Sequence, residues 1–69
     1  MTEREITGIV WHEAGEIVDL VYLDGEPDRL VGTRAVVAEL ARSVGLVIVP
    51  ASPGTIRWAR DPGVEPPTS

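Results

Sequence analysis

The sequence predicts a small α+β domain: a mostly antiparallel sheet of four to five short strands, in the order β-β-(β)-α-β-β, with one helix packed across one face. Three observations predict it. Runs rich in β-branched and aromatic residues, bounded by turn residues, recur at Glu5–His12, Glu16–Leu23, Leu46–Val49 and Thr55–Arg60. One segment, Thr33–Val44, carries helical periodicity with both a start and a stop signal. The connections between the runs are short, which favours pairing of sequence neighbours.

Glu5–His12 ends at Glu13-Ala14-Gly15, and Glu16–Leu23 follows, so the two runs read as a β-hairpin. Gly8, in mid-strand, marks a bulge or a close backbone neighbour. The second run is apolar on both sides, with Ile17, Val21 and Leu23 on one and Val18, Leu20 and Tyr22 on the other. Only Asp19 interrupts it. A strand with one wet side alternates apolar and polar residues, so this one calls for cover on both faces. Asp24-Gly25 is a type I′ turn signal that sends the chain back through Glu26–Val31. Pro27 lacks an N–H, which makes this third strand short and places it at an edge.

In Thr33–Val44, Thr33 is the N-cap and Val36, Val37, Leu40, Ala41 and Val44 form an apolar stripe centred on Leu40. Gly45 supplies the left-handed residue that ends the helix. Leu46–Val49 and Thr55–Arg60, joined by the loop Pro50–Gly54, read as a second hairpin, with Ile56 and Trp58 opposite in facing to Arg57 and Ala59. Residues 1–61 therefore form one domain, and the Pro-rich stretch 62–69 is expected to be a flexible tail.

A chain of 69 residues buries only about 60% of its unfolded surface, and such domains usually need a staple. With no cysteine and a single His12, neither a disulfide nor a structural zinc site is at hand, which leaves association as the remaining device. Eleven acidic residues against six Arg give a net charge of −5, which opposes binding to phosphates or to anionic membrane. The N-terminus is polar and acidic, with no apolar run near the roughly 18 residues that span a bilayer. The expectation is a cytoplasmic protein. Its basic residues are all Arg, and it lacks Lys, Asn, Gln and Phe. That codon bias points to a GC-rich genome, such as that of an actinobacterium or one of its phages.

The chemistry-bearing clusters are thin. His12-Glu13 lacks the second histidine of a zinc-protease helix and reads as a solvated turn. Asp24, Glu26 and Asp28 alternate like the start of a calcium loop, but Arg29 and Ala35 stand where such a loop needs Gly and Glu. No cysteine, no second histidine and no glycine-rich phosphate loop leave nucleophilic and phosphoryl-transfer chemistry without parts. The sequence thus predicts no enzyme, no metal, no cofactor and no small-molecule substrate.

It predicts a protein-contact module instead, either a homodimer or a binder of a host protein, such as an accessory phage product that sequesters its target. The residues expected at the contact are Trp11, Val18, Leu20, Tyr22, Arg57, Trp58 and Arg60, because a surplus apolar face marks an interface and Trp, Tyr and Arg are enriched at hot spots. Pairing at an open sheet edge is a second route. The competing expectation is a regulator at nucleic acid, which stacks bases on Trp58 between Arg57 and Arg60 or mimics DNA with its acidic rim.

Overall fold

The computed structural model describes residues 5–60. The tail expected at 62–69 lies outside the described residues. Five strands and one α-helix follow in the order β1 (Ile6–His12), β2 (Ile17–Tyr22), β3 (Asp28–Val31), α1 (Arg34–Ser43), β4 (Leu46–Val49) and β5 (Thr55–Arg60). They form one antiparallel sheet in the spatial order β3-β2-β1-β5-β4. This is the predicted α+β arrangement. Because every neighbouring pair is antiparallel, the two edge strands β3 and β4 run parallel. The helix between them therefore crosses the whole width of the sheet and covers one face.

The pairing of β1 with β2 explains how that face is filled. Ile9 lies opposite Leu20 and Trp11 opposite Val18, while on the other flank Ile9 meets Trp58 and Trp11 meets Ile56. With Val37 and Ala41 from α1 and Leu46 from β4, these make one apolar cluster. Ile9 is fully buried at its centre. The Trp11 indole N–H donates to the Gly32 carbonyl at 2.9 Å, which pins the chain just before the helix. The bulge expected near Gly8 is present, with an extra residue between Ile6 and Gly8. It turns Ile6 toward the core, where strict alternation would have put it on the opposite face.

Two details differ from the sequence reading. The Asp24-Gly25 turn is not type I′, since Gly25 has φ 92° while Asp24 is not in the left-handed region. Asp28 lies opposite Leu20 and Arg29 opposite Asp19, whereas a two-residue Asp-Gly turn would shift the strand by one residue. Such a slip turns every β3 side chain to the other face. The observed register instead brings Arg29 beside Asp19, to which its Nε donates at 2.8 Å. The second difference lies in the helix. It starts at the expected cap, where Thr33 Oγ1 accepts from the Val36 N–H, and it ends at Gly45, φ 79°. Its buried line is Val37 and Ala41, with Leu40 only half-buried and Val36 64% exposed. A ten-residue helix lying on the sheet buries a line narrower than the stripe the periodicity drew.

Candidate functional site

Strand alternation sends every second residue away from the helix, and among the described residues no second helix or sheet covers that side. Three rows cross the bare face. At one end stand Val21, Gly8, Ala59 and Val47. In the middle lie Arg29, Asp19, Val10, Arg57 and Val49. At the far end are Val31, Ile17, His12 and Thr55. The first row is wholly apolar and low at its centre, because Gly8 and Ala59 have little or no side chain. Val21 and Val47 are exposed in this row, and Val31 in the third.

The polar groups of this face are tied to one another. His12 Nε2 and Asp19 Oδ2 are 2.9 Å apart across the β1–β2 diagonal, and Arg29 donates to both Asp19 oxygens, at 2.8 and 3.4 Å. Arg29, and then His12, hydrogen bond to the carboxylate and hold the Asp19 carboxyl below the usual carboxylate range. The same contact raises the affinity of Arg29 for its proton. Two open depressions flank this triad. One, of about 580 Å³, is lined by Val10, His12, Ser52, Thr55 and Arg57 with Pro50 and Ala51. The other, of about 520 Å³, is lined by Val10, Asp19, Val21, Pro27, Asp28 and Arg29. Val10 is the ridge between them. Arg57 has no ion pair among the described residues, unlike Arg29 and Arg60.

The residues expected at the contact are divided by the sheet. Trp11, Val18, Leu20 and Trp58 are in the core beneath α1, so the helix already occupies the side of β2 that the sequence reading had offered to a partner. Tyr22 lies at the border of that core, and its hydroxyl donates to Asp28 at 2.8 Å. Arg60, on the helix side, is ion-paired with Glu5. Of the seven, only Arg57 stands on the bare face. The other side of β2, with Ile17 and Val21, is the uncovered one. His12 is no solvated turn residue, because the four-residue loop 13–16 sets it opposite Ile17 and within reach of Asp19. Sequence reasoning missed the His12–Asp19–Arg29 triad, although the one polar break in β2 was its signal. It became readable only with the loop length and the β3 register known.

Among the described residues no group of three His, Cys, Asp or Glu side chains is placed to hold a metal ion. No helix among them is long and apolar enough to cross a membrane. Comparison with protein-family models, with curated proteins and with solved structures finds no match.

Proposed function

We propose that this protein is a non-enzymatic contact module that associates with a second copy of itself through the bare face of its sheet. The observation that carries the reading is the two-sided apolar β2, whose Val18 and Leu20 are buried while Val21, on its other side, remains 40% exposed. Small folded domains rarely leave such a face to water without a use.

The dimensions favour a modest interface. Five strands about 4.8 Å apart, with residues rising about 3.3 Å each, span roughly 24 by 17 Å. Two such faces bury on the order of 1,000 Å², the lower end for specific complexes, so association in the micromolar range or weaker is expected. The charges of the face suit this use. Asp19 neutralises Arg29 before any partner arrives, which lowers the cost of bringing the triad together with another surface. Arg57 sits off centre beside the edge strand, where its long stem can cover apolar surface and its guanidinium can reach water.

An accessory product that captures a host protein would use the same surface with a different occupant. The nucleic-acid reading has less to support it. Trp58, on which a base would stack, lies in the core, and Arg57 and Arg60 point to opposite faces. Size-exclusion chromatography with light scattering tests the proposal. The wild-type mass should rise above 7.4 kDa as concentration increases, and Val21→Asp, at an exposed site, should restore the monomer without loss of fold. A wild-type monomer at every concentration would overturn self-association.

A further inference from the structure

The two edges of the sheet are built differently. β3 is guarded, since Pro27 precedes it, Asp28 and Arg29 lie on it, and both charges are engaged, by Tyr22 and Asp19. β4 is Leu46-Val47-Ile48-Val49, with no charge, no proline and no bulge. Among the described residues nothing pairs with its outer side. Ile48 is 69% exposed on the helix side of the sheet, and Val47 is exposed on the bare side. An uncharged edge with apolar residues on both faces is the kind that pairs with another chain, and natural sheets normally blunt such edges with charge, proline or a bulge.

We infer that β4 is a pairing edge whose occupant is β4 of a second copy, joined antiparallel so that two sheets become one of twice the width. This rests on the self-association reading and adds a second, separate contact to it, because a copy joined edge to edge leaves both bare faces open to a further pair. Three considerations select a second copy. An incoming strand must offer apolar residues on both faces over four positions, and β4 itself meets that requirement. The chain carries a net charge of −5, and a contact made by uncharged strands lets two such chains approach at a point free of acid-to-acid repulsion. A two-fold contact also closes on itself, whereas addition to the guarded β3 edge would grow an open filament.

The geometry of pairing then follows. Residues opposite each other in an antiparallel ladder share a face. The two-fold axis therefore stands normal to the sheet and passes beside Val47 or Ile48, not between them. Both helices lie on the same side of the joined sheet, and the two bare faces become continuous. With the axis there, three residues of each β4 pair with the other copy's β4, and the buried area falls well below the usual size of a stable complex, so the edge contact alone is weak and fast.

The test is amide hydrogen exchange of the 69-residue chain at low and high concentration, alongside sedimentation of Ile48→Lys and Val21→Asp. The expected result is protection of amides in Leu46–Val49 that rises with concentration, and at least a tenfold weaker association for Ile48→Lys, with a melting temperature equal to the wild type's at a concentration low enough for both to be monomeric. β4 protection that does not depend on concentration, in a wild type that still associates and loses association only in Val21→Asp, overturns the edge contact while the bare-face reading stands. Loss in Ile48→Lys but not in Val21→Asp upholds the edge and removes the face. A wild type that is monomeric throughout overturns both.

Discussion

Ile9→Ala is the substitution on which the account of the core is most exposed. Ile9 is fully buried in the middle strand, opposite Leu20 on one side and Trp58 on the other, under Val37 and Ala41 of the helix. Its removal takes three carbons from the point where sheet and helix meet. Sheet neighbours held on both sides by hydrogen-bonded ladders have little freedom to collapse into the gap. Such truncations cost about 2–5 kcal/mol, while a folded chain of 69 residues holds roughly 3–10 kcal/mol in all. With about 4–8 °C of melting temperature per kcal/mol for a domain this size, a fall of about 8–40 °C is expected. Thermal unfolding followed by circular dichroism reads it, at one fixed low concentration so that association does not add to apparent stability. Val31→Ala, at a position 79% exposed on the bare face, is the control and should melt with the wild type. If Ile9→Ala melts within about 3 °C of the wild type, the core has been placed on the wrong side of the sheet.

Thr33→Ala should cost about 0.5–1 kcal/mol, at the lower end for N-caps because the Thr33 Oγ1 to Val36 N distance is a long 3.4 Å; urea unfolding measures it. Glu16 has φ 49° in the loop between β1 and β2, a left-handed conformation that costs a residue with a Cβ roughly 1 kcal/mol. Glu16→Gly should therefore be neutral to slightly stabilising in the same assay, and a clear loss would mean that its side chain holds the loop. Asp19→Asn tests the triad through pH. The Asp19 carboxyl is held low when folded, so its contribution is present above the unfolded value near 4 and fades as pH falls through the lower folded value. The stability gap between wild type and Asp19→Asn should be open at neutral pH and should close as acid is added below about pH 4. A gap that does not change from neutral to strongly acid pH would mean that the charge of Asp19 contributes nothing.

How much of this was legible in the chain depended on the range of the interaction concerned. The strands Leu46–Val49 and Thr55–Arg60 and the cap-to-stop span of the helix are local matters of period and turn chemistry, and they lie where the sequence placed them. The two apolar sides of β2 were legible too, down to which residues share a side. Which side the helix would take was not, because that depends on the register of β2 against β1 and on the crossover from β3 to β4. That one binary choice put Trp11, Val18, Leu20 and Trp58 inside and left Ile17, Val21 and Arg57 facing outward. The β3 register was decided by Arg29 meeting Asp19, a contact between residues ten apart, in preference to the intrinsic turn preference of Asp24-Gly25. The guarded and unguarded edges are likewise visible only once the strand order is known.

Methyl NMR of the wild-type chain, titrated from about 10 µM to about 1 mM to bracket weak association, addresses the central claim most directly. Resonances of Val10, Val21, Val47 and Ala59 should move together with concentration, while those of Val37 and Ala41 beneath the helix stay fixed. Motion confined to the helix side, or none on either side, would contradict a second copy covering the face that α1 leaves bare.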